Sequence, residues 1–307
     1  MILKNLAKKV LSFLSTHRLL SVFIILVLIS AALSTTFILI KDENIYKKLN
    51  TKKEYSPSNP IYEEVAKKVL PEEGVITKLK TDEIITKLVS FGIIDKGKFK
   101  EIENIINQQN QEPLVIKTDN TNLWLKIFWA LGLSNKTEFN KESPLNGENL
   151  YKFASTGGWT LGKEKNGGAY FNRFEIIKLS KPQEELVLSI AKSVFRPCCD
   201  NSTFFQDCNH GSAMLGMLEL GASQGLSSDE LYQLALVFNS FWFPDQYIET
   251  ALYFKVKENQ DWQSIDPKIV LDKKYSSASG WNKNVAFEVS KIPNLLPQRR
   301  NTQKCQV

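Results

Sequence analysis

Residues 209–244, NHGSAMLGMLELGASQGLSSDELYQLALVFNSFWFP, decide the fold class. Asn209 is a good N-cap, because its short side-chain oxygen can accept from the free amides of a first helical turn. It opens a helix predicted from His210 to about Gly221, with AMLGMLEL as an apolar face. Ser227 followed by Glu230 has the spacing of a capping box, in which the two ends of a first turn satisfy each other's amides. That predicts a second helix from Ser228 to Phe241, which Pro244 ends because proline has no amide to continue it. No β-branched run with period-two alternation and hairpin turns accompanies these helices, so a sheet-based body is not expected.

Working upstream, Ser180 and Gln183 form another capping-box pair, with Pro182 in the first turn of a helix over Lys181–Phe195. Asn120–Leu131 (NTNLWLKIFWAL) places Leu123, Trp124, Ile127, Phe128 and Leu131 on one face, with Gly132 at its end. At about a dozen residues it is too short for a bilayer crossing and reads as a core helix. Shorter helices are predicted over Pro60–Leu70, Asp82–Phe91 and Phe99–Ile106. Asn135–Asn172 is rich in Gly, Asn and Lys, with Gly157-Gly158-Trp159 and Gly167-Gly168 marking turns in a loop region. It has no phosphate-cradling fingerprint. The sequence thus predicts one mainly α globular domain over 59–291, containing a Gly-rich loop region, and a polar tail over 292–307.

The N-terminal end has a different composition. Leu19–Ile40 is 22 residues without a charge, spanning roughly 33 Å as a helix, which is one bilayer crossing. Ala32 and Ser34 are spaced like a signal-peptide cleavage site, but apolar residues continue through Ile40, longer than a cleavable core requires. The expectation is therefore a basic leader over 1–18, a retained single transmembrane helix over 19–40 and a polar, lysine-rich linker over 41–58. Basic residues flank the segment on both sides, so the positive-inside count is nearly a tie. A short acid-free leader argues for a cytoplasmic N-terminus, a body outside, and the lipid bilayer as a partner.

The formal net charge of +6 has the same origin. Lys4, Lys8, Lys9 and Arg18 stand without an acidic residue in the first forty positions, and the remainder holds 35 basic and 33 acidic side chains. A nearly neutral body lacks the phosphate contacts that non-specific nucleic-acid binding needs, so nucleic acid is not expected as a partner.

The chemistry is concentrated in FRPCCDNSTFFQDCNHGSAMLGM, residues 195–217. Cys198, Cys199, Cys208, His210, Met214 and Met217 all fall there, although the chain has only 4 Cys, 2 His and 3 Met. On the predicted helix, His210, Met214 and Met217 stand at i, i+4 and i+7 on one face. Cys208, just before the cap, is placed where exposed amides favour a thiolate. Three cysteines and a histidine suit zinc, and thioether sulfur would shift the preference toward copper(I). The same residues have plainer accounts: Met214 and Met217 as core filler, and the cysteines as disulfides in an oxidising compartment.

RPCCDNSTFFQDCNHGSAMLGMLELGASQG, together with VLPEEGV, FASTGGWTLG, FNSFWFPDQY and YSSASGW, resembles a group of uncharacterised bacterial membrane-anchored or secreted proteins. They share an R-P-C-C-x8-C-N-H-G motif and a cysteine near the C-terminus, here Cys305. More loosely, the arrangement is similar to small lipoproteins with a P-C-Y-C-G-C motif, in place of which this chain has Pro197-Cys198-Cys199. The resemblance implies a shared Cys-His site without naming its task. Three functions follow as expectations: metal handling with a copper or zinc ion, thiol-disulfide exchange, or a disulfide-stapled module whose FNSFWFP aromatics meet a protein partner. With a single histidine in the body and no G-x-S-x-G elbow, no enzyme class is indicated.

Overall fold

Both capping boxes form as their spacing predicts. A computed structural model of the chain describes residues 59–103 and 113–297. In it the Ser180 amide donates to Gln183 Oε1 at 2.8 Å, and the Ser227 amide to Glu230 Oε2 at 2.8 Å. The expected leader, membrane segment and linker lie outside the described residues, as do Cys305 and the last three residues of the predicted Phe99–Ile106 helix, whose described part is helical from Glu101 to Glu103. Among the described residues no helix is long and apolar enough to cross a membrane.

The described residues are mainly helical and belong to one compact unit, Pro57–Val307. In chain order, α1 is Pro60–Val69, opened by the Asn59 side chain, which accepts from the Ile61 amide. Strand β1 (Val75–Ile76) pairs antiparallel with β2 (Val115–Ile116), Val75 opposite Ile116. Between them lies α2, Asp82–Ser90. Helix α3 is Thr121–Ser134 and α4 the single turn Leu150–Phe153. Helices α5 (Lys181–Ser193), α6 (Asn209–Ser223), α7 (Ser228–Trp242) and α8 (Pro244–Lys257) form the body. Four short helices follow: α9 Pro267–Val270, α10 Lys273–Ser276, α11 Ala278–Trp281 and α12 Phe287–Ser290.

Helix ends shift by one to three residues from expectation, and three differences have a clear physical reason. Pro244 does end α7, but it also occupies the first turn of α8, where a missing amide costs nothing. The N-cap of α6 is Cys208, with extended backbone (φ −149°, ψ 168°), one residue before the expected Asn209. Gly132 does not end α3; the helix continues to Ser134, and Gly132 is its closest approach to α6. A methyl group on Gly132 would clash with the Ser212 carbonyl oxygen and lie 2.5 Å from the Gly216 nitrogen. One on Gly216 would lie 2.5 Å from the Phe128 carbonyl oxygen. The two helices therefore touch backbone to backbone, and the close packing offsets the 0.5–1 kcal/mol or so that a glycine costs within a helix.

Beyond Ser134 the chain turns on Asn135, which is fully buried. Its Oδ1 accepts from the Ile176 and Ile177 amides at 3.1 and 2.8 Å, and its Nδ2 donates to Glu219 Oε2 at 3.1 Å. Glu219 is also fully buried, and burial pushes its carboxyl well above the usual carboxylate range. The predicted loop region over Asn135–Asn172 is folded onto the core through Leu145, Ala154, Trp159, Leu161 and Tyr170.

Candidate metal centre

The site is built on the bend between α5 and α6, and that bend is organised by an arginine. Arg196 is fully buried. Its Nε donates to Cys208 Sγ at 3.4 Å, its Nη1 to the Asn201 carbonyl at 3.3 Å, and its Nη2 to the Phe205 carbonyl at 3.1 Å. Nη2 also pairs with Asp207 Oδ1 at 2.5 Å. Asn201 Nδ2 holds the other Asp207 oxygen at 2.7 Å. One guanidinium thus satisfies both carbonyls that the bend turns inward and carries the charge that Asp207 requires; a charge this deep is tolerated only when paired in this way. Gly211 leaves it room, since a methyl group there would lie 2.6 Å from Nη2.

The bend is pinned from several sides. Thr203 donates to the Val194 carbonyl through its amide at 2.9 Å and its hydroxyl at 3.0 Å. Asn239 Nδ2 on α7 donates to the Phe195 carbonyl at 3.0 Å. The Ala278 amide donates to the Cys199 carbonyl at 2.9 Å, and the Ser279 amide to Asp200 Oδ1 at 2.8 Å. Gly157 reaches the first turn of α6 from the glycine-rich region, with φ +105° and no room for a side chain beside Asn209. Segments far apart in sequence, FASTGGWTLG, FNSFWFPDQY and YSSASGW, thereby each contribute one wall or one anchor to the same bend.

On this frame Cys198 Sγ, Cys208 Sγ and a ring nitrogen of His210 lie within 4.8 Å of one another, a group that could hold a metal ion. Cys198 is exposed, while Cys208 and His210 are half-buried. The His210 ring lies against Phe243 (centroids 4.5 Å apart, planes at 38°) and edge-on to Trp242 at 6.0 Å. These aromatics hold the imidazole beside the two sulfurs. Cys199 stands next to the group, its sulfur 3.7 Å from Asp207 Oδ1 and 3.8 Å from the Asn201 carbonyl oxygen.

The three cysteines are free and share protons unequally. Hydrogen bonds from the Cys198 and Cys199 thiols, with Arg196 beside them, hold Cys208 well below the usual thiol range despite its burial. Cys198 is pushed up by its hydrogen bonds with Cys199 and Cys208. For Cys199, the bond with Cys198 lowers the value, but the bond with Cys208 and burial outweigh it and carry it up to about 11. Burial works against the Arg196 charge, yet Cys208, Cys198, Cys199 and Asp207 raise its pKa above the usual value, so it stays protonated. Of the three sulfurs, Cys208 is the one whose surroundings favour the thiolate.

Met214 and Met217 are part of the hydrophobic core, both at 0% exposure. Helical periodicity does not separate a ligand stripe from a core stripe, and burial among apolar neighbours accounts for these two thioethers as packing. The FNSFWFP aromatics Phe238, Phe241, Trp242 and Phe243 also pack inward, each at or below 9% exposure. Sequence reasoning does not find Arg196. Its only signal is an arginine at the head of the cysteine run, next to residues that have to be buried. Comparison with protein-family models, with curated proteins and with solved structures found no match.

Proposed function

We propose that this chain is a membrane-anchored, extracytoplasmic metal-binding protein, holding zinc or copper(I) between Cys198, Cys208 and His210 for metal handling, sensing or delivery. The observation that carries the reading is the convergence of two sulfurs and one imidazole nitrogen within 4.8 Å. Two sulfurs and an imidazole suit zinc and copper(I) and poorly suit magnesium or calcium, which take oxygen ligands.

Charge balance favours zinc of the two. Arg196 and Asp207 cancel each other, so two thiolates on Cys198 and Cys208 would leave two negative charges for a divalent ion to neutralise. Three protein ligands with a fourth position open is a pattern of reactive zinc sites, as distinct from closed structural ones. The exposure of Cys198 suits an ion that is exchanged. The membrane part of the proposal is supported by the uncharged run over 19–40 and its acid-free leader.

The test uses the full chain, purified in mild detergent under reducing conditions and loaded separately with zinc and with copper(I), with bound metal counted by mass spectrometry. One zinc ion per chain is expected. Loss of a ligand in Cys208→Ser or His210→Ala should weaken retention by more than about 100-fold, beyond what loss of an outer partner costs. A chain that retains neither metal, or a Cys208→Ser variant that retains it unchanged, overturns the reading. Protease protection on intact cells tests the topology, with the body expected to be cleaved from outside.

A further inference from the structure

Cys198 and Cys208 are ten positions apart in sequence, and their sulfurs stand 3.7 Å from each other. A disulfide needs about 2.05 Å, so the two must approach by about 1.7 Å, within reach of a side-chain rotation. Cys208 is fixed, as the N-cap of α6 and an acceptor from Arg196 Nε. Cys198 lies on the exposed side of the bend, open to solvent and to a small reactant. Cys199 is placed differently: its sulfur is turned toward Asp207 and the Asn201 carbonyl, and its own carbonyl is held by the Ala278 amide. Adjacent cysteines also do not easily pair with each other. Cys198 and Cys208 are thus arranged to close, with Cys199 beside them.

We infer that Cys198 and Cys208 are a reversible redox pair, oxidised to a disulfide by a hydroperoxide, and that closing the disulfide removes the metal site. The second half rests on the metal reading above; the first does not. In the reaction one sulfur attacks the peroxide O–O bond, becoming a sulfenic acid as the other oxygen leaves as water or alcohol. The second sulfur then attacks the first and displaces its hydroxyl as water, forming the S–S bond. Two electrons pass from the sulfur pair to the peroxide, and the two thiol protons leave in the products. The disulfide sulfurs are no longer thiolates, and the thiolate is the metal ligand. His210 then remains as a single ligand. A bound ion in turn occupies both sulfurs and shields them from oxidation.

The experiment treats the metal-free full chain, in mild detergent, with one equivalent of hydrogen peroxide. Free thiols are then alkylated and the chain digested without reduction for peptide mass mapping. The expected product is a Cys198–Cys208 cross-link, lighter by two hydrogens, with Cys199 alkylated. Zinc uptake should fall from one ion per chain to none and return after a dithiol reductant. Chain loaded with zinc beforehand should cross-link more slowly. In Cys198→Ser, a change at an exposed position, oxidation should stop at a Cys208 sulfenic acid that a dimedone probe traps. A cross-link through Cys199 or Cys305, or both Cys198 and Cys208 alkylated after oxidation, overturns the pair. A cross-linked chain that still binds zinc overturns the coupling to metal. A Cys198–Cys208 cross-link in a chain whose reduced form takes no zinc sinks the metal reading and upholds the redox pair.

Discussion

The first turn of α6 and the turns that follow it serve opposite ends. At its start, Cys208 and His210 face a polar bend, held open enough that Cys198 is exposed. From Gly211 to Ala222 every residue of the same helix is buried, and at Gly216 the backbone of α3 lies directly against it. The sealed part fixes where the helix begins, and the polar part uses that fixed point. The contrast separates Cys198, Cys208 and His210, which form a group, from Met214 and Met217, which share the His210 helix face and pack in the core.

The contrast breaks most severely at Arg196. Removing it in Arg196→Met leaves the Asp207 carboxylate without its counter-charge, held only by Asn201 Nδ2, and the two inward carbonyls without the guanidinium. Truncating one partner of a buried pair costs about 3–5 kcal/mol. Thermal denaturation followed by circular dichroism should show a fall of roughly 10 °C or more. A loss of only a few degrees would show that the bend does not depend on this arginine.

The sealed side is tested at Gly132. In Gly132→Ala the added methyl meets the Ser212 carbonyl and the Gly216 amide, so α3 and α6 must separate. Overpacking of this kind costs about 3 kcal/mol. Chemical denaturation should record it, and an unchanged midpoint would contradict the backbone contact.

How much of this is legible in the sequence follows from the range of each interaction. Ser180 with Gln183, and Ser227 with Glu230, act across three residues, so spacing alone predicts their helices. The concentration of Cys, His and Met over 198–217 is visible as composition. Gly132 reads as a helix end because a glycine's packing partner, here Gly216 more than eighty residues on, leaves no local signature. Pro244 reads as a stop because proline both ends one helix and begins another, and α8 is hidden with it. Arg196 runs against the ordinary expectation that arginine faces water. Met214 and Met217 satisfy the same periodicity as ligands or as core, and their full burial among apolar residues accords with core.

A smaller effect, of opposite sign, is expected at Glu219. Its folded pKa lies above the ordinary glutamate value of 4.5 because burial disfavours the charged form. The stability that goes with this proton is fully present below about pH 4.5 and is lost as the pH rises through the folded value. Glu219→Gln copies the protonated side chain. Its stability should match the native chain at low pH and exceed it at neutral pH, by about 1.4 kcal/mol for each tenfold difference in proton affinity between the folded and unfolded carboxyl. Denaturant titrations at several pH values give the comparison, and a variant less stable at neutral pH would show that the carboxylate is needed in the core.

The smallest change is expected at the methionines. Met214→Leu and Met217→Leu nearly conserve volume and should each cost under about 1.5 kcal/mol, with zinc retention unchanged. A tenfold loss of zinc affinity in either variant would move that sulfur from the core to the site.

The most direct test is X-ray absorption on the zinc-loaded full chain, which reads ligand type and distance at the ion itself. Zinc bound by Cys198, Cys208 and His210 should show two sulfur scatterers near about 2.3 Å and nitrogen near about 2.0 Å. A zinc shell of oxygen and nitrogen alone would contradict the site.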